Sequence, residues 1–196
     1  MTLDDVWLEL LLLNARTHNT WRNEPVSDAL LQRVYEAARW APTLANTQPL
    51  RLVFVKSTEA KTRLKPLLSP GNVNKTMAAP VTAIVAHDVE FHEQLPTLSP
   101  NATGMKDWFG GMPDEAREAL AFQGSSMQGA YVILTARALG LDCGPMGGFD
   151  KAGVDTEFLS GTTWRSNFLL NLGHGDPEGV HPRAPRLDFS FASRIL

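Results

Sequence analysis

The sequence has one cysteine, Cys143, in 196 residues, so no intrachain disulfide is possible and a reducing, cytoplasmic compartment is expected. It has no excess of basic charge. Eighteen Lys and Arg stand against 21 Asp and Glu, giving a formal net charge of −3 with no long basic run. That removes the electrostatic case for nucleic acid or an anionic membrane, so any bound anion must be small and met by a few local Arg or Lys. Long apolar runs are also missing: Leu10 to Leu13 is far too short to cross a bilayer. Asp4, Asp5 and Glu9 stand where a signal peptide would be basic. No Gly-x-Ser-x-Gly elbow surrounds Ser125-Ser126, which argues against a serine hydrolase. Gly144 to Gly148 is not a Gly-x-Gly-x-x-Gly fingerprint, because Pro145 breaks it, and a classical dinucleotide fold is disfavoured. His87, Asp88 and His92 have no second cluster at metal-ligand spacing, so these histidines read as surface or loop residues rather than the site of a metal-dependent hydrolase. Nothing adjacent to Cys143 would activate it as a nucleophile, so it reads as a buried small apolar group.

The chain is 43% hydrophobic and 20% charged, a globular balance. Its length suits one domain spanning 1–196, with no repeat or linker dividing it. The organising stretch is Phe122 to Asp150. From Gly129 it is apolar on nearly every face, with Arg137 the only charge before Gly140 stops the helix. Leu141 to Cys143 reads as a short strand, and Gly144 to Asp150 as a glycine-rich loop shaped for close backbone approach to something flat or large.

Elsewhere the pattern predicts a helix over Leu3 to Asn14 with Val6, Trp7, Leu10, Leu11 and Leu13 inward. A second helix is capped by Ser27 and ended by Pro42. Strands are expected at Leu52 to Val55, Val81 to Ala86 and Asn167 to Gly173, with a short helix after Ser57 or Thr58 and a loop over Pro70 to Lys75. Asp88 to Asp114 has weak periodicity and reads as a lid-like excursion, with Phe91, Trp108 and Phe109 either covering a substrate or tucked into the core. Asp188 to Leu196 could form a last short helix. The fold class is α+β. One helix is too apolar for a single small sheet to cover, which suggests burial against a second copy, the alternative being a helix at the centre of a monomer.

Three pairs of polar residues could carry chemistry: Arg16 with Thr17, Asn72 with Lys75, and Arg183 with Arg186. Arg forks plus a hydroxyl suit a phosphate monoester if the tail folds back. Asn72 and Lys75 could serve an amide-rich heterocycle. Together with the Gly144 to Gly148 loop they suggest a flat phosphorylated cofactor.

Five segments resemble the nitroreductase family of flavoproteins, and the resemblance covers almost the whole chain. They are Arg16-Thr17-His18-Asn19-Thr20-Trp21, Ala41 to Pro49, Gly71-Asn72 with Lys75, Leu139 to Asp150, and Pro182 to Arg186. Within the family the chain is most similar to the malonic semialdehyde reductase branch, where the Arg-Thr-His-Asn and Gly-Pro-Met-x-Gly-Phe-Asp runs occur together. The resemblance implies a central mixed or antiparallel sheet flanked by helices, in an intertwined homodimer with two FMN sites at the subunit interface. It assigns the phosphate to Arg16, Thr17, Arg183 and Arg186. Thr43, Leu44 and Asn46 would reach the flavin from the other subunit, and Asn72 and Lys75 would lie by its pyrimidine edge. Pro145, Met146, Gly147 and Gly148 would run beside the isoalloxazine, with the Gly147 N–H near N5. Many members carry Arg or Lys where this chain has Asn19, so Lys75 would take more of the task of stabilising reduced flavin. His18 either faces the flavin or packs. The implied activity is FMN-dependent NAD(P)H oxidation coupled to reduction of an aldehyde such as malonic semialdehyde, or of a nitroaromatic or quinone. A flavin-binding protein without turnover is the rival reading.

Overall fold

The computed structural model describes residues 5–196. Helix α1 (Asp5–Leu8) runs on into wider turns over Glu9–Leu13, and residues 3 and 4 of the expected helix lie outside the described residues. Val6, Trp7, Leu10 and Leu13, expected inward, stand exposed. The segment is tied down by Arg137, whose Nη1 donates to Leu11 O at 2.8 Å; Leu11 is half-buried, and among the described residues no element buries the rest of its apolar stripe. Helix α2 (Asp28–Ala38) follows the pattern: Ser27 Oγ accepts from Leu30 N at 3.2 Å, and Leu31, Val34 and Ala38 face inward.

Strand β1 (Leu50–Val55) leads to α3 (Thr58–Leu64), capped by Ser57, and to α4 (Pro70–Ala78). The loop expected over Pro70 to Lys75 is therefore helical. Pro-Gly reads as a turn, but Pro70 occupies the first helical turn, where its fixed φ is preorganised and its missing N–H costs nothing. Strand β2 (Val81–Asp88) is buried at every position. After it, Phe91–Gln94 forms a tight turn, followed by α5 (Leu95–Leu98) and α6 (Met105–Gly110). Helix α7 (Asp114–Ala138) is 25 residues long. The remaining elements are β3 (Asp142–Met146), α8 (Lys151–Phe158), β4 (Trp164–Gly173) and the short α9 (Phe189–Ala192), which is much briefer than the expected final helix.

The sheet has the order β1-β2-β4-β3 with every pair antiparallel. A near-continuous apolar run such as β2 means that both faces are covered. On one face Ala83, Val85, Leu170 and Leu172 pack against Val34 and Ala38 of α2 and Val132 and Ala136 of α7. On the other, Ile84 and Leu169 meet Leu64 of α3 and Val154 of α8. Gly129 lets α7 lie close to the sheet, since a Cβ there would stand 2.7 Å from Phe168 Cζ. The opposite side of α7 leaves Phe122, Met127 and Tyr131 exposed.

Strand β3 takes in Gly144, Pro145 and Met146, which the sequence placed in a loop. A proline is tolerated there because β3 is an edge strand. Helix α8 was not anticipated; its signal is Asp150, whose Oδ1 accepts from Gly153 N at 3.1 Å. In the excursion after β2, Phe91, Leu95 and Phe109 form a cluster with Ala121 of α7. Trp108 is 55% exposed. Arg51 Nη2 donates to Asp88 Oδ2 at 2.7 Å and Arg117 Nε to Val89 O at 3.0 Å, which anchors the start of the excursion. Among the described residues no helix is long and apolar enough to cross a membrane.

Candidate functional site

A cavity of about 620 Å³ lies between the segment after α1 and the C-terminal tail. Arg16, Thr17, Asn19, Arg183 and Arg186 all line it, so the tail does fold back onto the N-terminal segment. The fold-back is built from hydrogen bonds. Arg16 Nη2 donates to His181 O, and Arg183 Nη2 donates to Leu13 O at 2.6 Å and to Ala15 O at 3.3 Å. Each of these bonds uses one nitrogen of a guanidinium that carries five donors, so capacity remains for a ligand. The sequence reading missed Arg137, whose place in the last turn of α7 brings a further guanidinium to the same cavity. Its visible signal was a lone charge in an apolar helix. Four arginines on one concave surface bring together the donor type that suits an anion.

The segment 16–21 lies along the outer edge of β3. Thr17 bridges Cys143, and His18 N donates to Cys143 O at 3.0 Å. Gly144 is required at this contact, because a Cβ there would stand 2.6 Å from His18 O. The His18 ring is buried against Gly175, with Nδ1 3.4 Å from Asp142 Oδ1. Thus the residue whose role the sequence left open has its ring packed and its backbone paired with the strand. Asp142 also accepts from Gly175 N at 2.8 Å, a positioning role not foreseen.

At the far end of β3 the chain becomes accessible. Met146 is turned into the core, where its Sδ accepts from Thr76 Oγ1 at 3.3 Å, and Gly147 is exposed. A Cβ at Gly147 would meet nothing within 4 Å, so space is open beside its backbone. Gly148 O accepts from Asn72 Nδ2 at 2.7 Å and from Ser69 N at 3.1 Å. This fixes the loop to α4 through the amide nitrogen of Asn72. Lys75 lies one turn further along α4, and its carbonyl accepts from Trp21 Nε1 at 3.1 Å.

Thr43, Leu44 and Asn46 do not line the arginine cavity. They belong to a loop with three non-glycine residues at positive φ: Ala45 at 49°, Asn46 at 58° and Gln48 at 43°. Such backbone persists only where its surroundings hold it. Here Thr43 Oγ1 accepts from Gln48 N at 3.1 Å, Asn46 Nδ2 donates to Leu98 O at 2.7 Å, and Ser99 Oγ donates to Ala45 O at 2.9 Å. Leu44 instead lines a smaller cavity of about 170 Å³ with Phe91, Phe109, Gln123 and Met127.

His87 and His92 are not surface histidines: they are 2% and 5% exposed. Glu90, His92 and Glu93 bring ligand-type atoms within 4.8 Å of one another. Their carboxylates are already engaged by Arg117 at 3.2 Å and Lys106 at 2.7 Å. Burial pushes the Cys143 thiol up to about 12, so it stays protonated at neutral pH. The native protein is therefore expected to resist alkylation by a thiol reagent at pH near 7 while the denatured chain reacts at once; equal rates would place Cys143 at an accessible surface.

The class defined here is an α+β protein whose antiparallel sheet is covered on both faces and whose segments 12–19 and 181–186 enclose an arginine-lined cavity. The chain belongs to the nitroreductase family, whose description matches residues 12–174. A relative from Burkholderia lata, named "Putative NADH dehydrogenase/NAD(P)H nitroreductase", is 59% identical over 194 residues, covering 99% of this chain and 98% of its own. The crystal structure of a nitroreductase-named protein in complex with FMN from Exiguobacterium sibiricum has a TM-score of 0.88 at 21% identity, over 100% of this chain and 99% of that one. A protein named as an NAD(P)H:FMN oxidoreductase from Staphylococcus epidermidis has a TM-score of 0.84 at 20% identity, over 100% and 98% of the two chains. At these identities the structural likeness establishes the nitroreductase fold.

Proposed function

We propose that this chain is an FMN-dependent NAD(P)H oxidoreductase, acting as a homodimer in the cytoplasm with FMN sites between its subunits. The observation that carries this is the gathering of Arg16, Thr17, Arg183 and Arg186 at one cavity, although more than 160 residues separate Arg16 from its tail partner His181. The donor set suits a phosphate dianion, and the open space beside Gly147 suits a flat ring. The names carried by the relatives support the same reading.

In this arrangement Arg16, Arg183, Arg186 and the Thr17 hydroxyl hold the phosphate, with Arg137 adding charge. Asn72 offers its Oδ1 and Lys75 its ammonium to the pyrimidine edge. The Gly147 N–H would offer a neutral donor to the flavin N5, orienting it without a titratable group. Asn19 donates a hydrogen bond but no charge, so Lys75 would carry more of the task of stabilising reduced flavin. Pro145, Met146 and Gly148 hold the backbone at the ring. Thr43, Leu44 and Asn46, which stand apart from the arginine cavity, act on the site of the partner subunit. When bound, FMN supplies hydride acceptance from a nicotinamide and hydride delivery to a second substrate.

For the substrate we propose a small aldehyde, malonic semialdehyde, reduced to 3-hydroxypropionate. Support comes from the pairing of the Arg16 to Asn19 run with the strand that opens the Gly144 to Asp150 run. The second reading, a nitroaromatic or quinone acceptor, is favoured by the nitroreductase names of the relatives. The excursion over 88–114, with exposed Trp108, would cover the substrate side within a single domain. The exposed apolar side chains of α1, of α7 (Phe122, Met127, Tyr131) and of the tail (Phe189, Phe191) form the surface that a second copy would bury.

Anaerobic titration of the FMN-loaded protein with NADPH and NADH tests the proposal. Bleaching by one of them, followed by recovery on adding malonic semialdehyde, supports the full reading. Recovery with a nitroaromatic or quinone only would select the second. Bound flavin that neither nicotinamide reduces would mean a flavin-binding protein without turnover.

A further inference from the structure

We propose that Lys61 is a positioning residue for the cofactor edge: its buried ammonium sets the direction of a hydrogen-bond chain that locks the Lys75 end of α4 to the Gly147 end of β3. The proposal rests on the reading of that edge as the flavin side. Lys61 stands on α3, on the face of the sheet covered by α3, α4 and α8, and is only 4% exposed. Its Nζ donates to Thr76 O at 2.8 Å and to Thr82 Oγ1 at 2.6 Å.

An ammonium has donors and no acceptor, and this fixes everything downstream. Thr82 must accept from Lys61, so its hydrogen goes to Asn171 Oδ1 at 2.7 Å. Asn171 Nδ2 then points to Lys75 O at 3.3 Å and to Thr76 Oγ1 at 3.4 Å. Thr76 directs its own hydrogen to Met146 Sδ at 3.3 Å. Thr76, Thr82 and Asn171 are wholly buried, so no water competes. The chain thus starts at a charge and ends at the two backbone segments that present Lys75 and Gly147. Lys75 O also receives Trp21 Nε1, which ties in the segment carrying Asn19.

Burial alone lowers the Lys61 pKa from 10.5 to about 8. The groups facing it, Thr76 of α4, Thr82 of β2 and Asn171 of β4, do not titrate. Charged residues on its own helix and its C-cap are Glu59, Arg63, which pairs with Glu157 at 3.1 Å, and Lys65, and Lys75 stands on α4; burial is the one cause of the shift. Above about pH 8 the neutral amine can accept as well as donate, Thr82 can reverse, and the chain loses its enforced direction. Linkage gives stability the opposite sign. Between the folded value of about 8 and the unfolded 10.5 the unfolded state binds more protons, so global stability gains as pH rises through that window. Cofactor affinity falling while the fold is strengthened is a signature that general loosening would not give.

The test compares wild type with Lys61→Met, which keeps the volume, and Lys61→Gln, which keeps donors but does not titrate. Two readouts are taken. One is hydrogen exchange over 72–78 and 143–148 in the cofactor-free protein; the other is FMN affinity from about pH 7 to about pH 9.5. Lys61→Met is expected to speed exchange in both segments and weaken FMN binding about tenfold, the effect of one lost charged hydrogen bond. Wild-type affinity should fall through about pH 8, whereas Lys61→Gln should recover much of the protection with a flat profile. Wild-type exchange and affinity in folded Lys61→Met would overturn the proposal. If wild type binds no FMN, the cofactor reading fails on its own, and exchange in the two segments still decides the role of Lys61.

Discussion

Arg16→Ala is expected to weaken FMN retention by about 10- to 100-fold. A hydrogen bond to a charged group contributes about 1.5–3 kcal/mol, and 1.4 kcal/mol is a factor of ten. Two effects act together. The variant removes a guanidinium from the cavity, and it removes the bond to His181 O, one of the three that hold the tail in place. Since Arg183 and Arg186 reach the cavity only through that fold-back, their contributions loosen as well. Arg16→Lys should keep charge but lose the fork, giving an intermediate affinity. The measurement is a flavin fluorescence titration; unchanged affinity in Arg16→Ala would mean that the phosphate lies elsewhere.

Gly144→Ala should be strongly destabilising, because the added methyl meets backbone. The new carbon would fall 2.6 Å from His18 O, a backbone atom that cannot swing aside, with Trp21 and Asn171 at 3.4 and 3.5 Å behind it. Overpacking of this kind costs about 1–3 kcal/mol, or a fall in Tm of roughly 3–10 °C for a chain this long. It also pushes the segment holding Arg16 and Thr17 away from β3, so cofactor affinity should fall with it. Gly147→Ala makes the contrast. Nothing lies within 4 Å of its added methyl, so its stability should stay within about 0.5 kcal/mol of wild type. Its effect should appear in turnover, where the methyl crowds the ring face. Thermal melts of both variants check the pair. A large loss at Gly147 with none at Gly144 would reverse the assignment of packing glycine and site glycine.

Much of this was legible in residue order because local chemistry fixed it. Ser27 caps the helix that the apolar spacing foretold, Ser57 is the one of two offered caps that opens the short helix after β1, and β2 could be read from its unbroken apolar run. The arginine-lined cavity was also readable in part: Arg16, Thr17, Arg183 and Arg186 were matched by type, and the tail does return. Other features depend on contacts distant in sequence. Pro70-Gly71 looks like a turn but begins α4. Gly144 and Pro145 look like loop but complete an edge strand, because the segment at His18 closes over them. The apolar residues of α1 have helical spacing yet stay exposed, since the pattern says that a face is apolar without saying which surface will cover it. Arg137 and Lys61 were missed for a related reason. Arg137 is a lone charge on an apolar stretch and Lys61 one of three charges on a short polar helix, and either shows its use only when the packed neighbours are known.

The most direct measurement is sedimentation of the FMN-reconstituted protein, followed in the visible absorbance band of the flavin. The account predicts colour moving with a particle of twice the 21.5 kDa chain mass, one FMN for each chain. Colour on the single 21.5 kDa chain, or a protein that sediments away from the flavin, would contradict it.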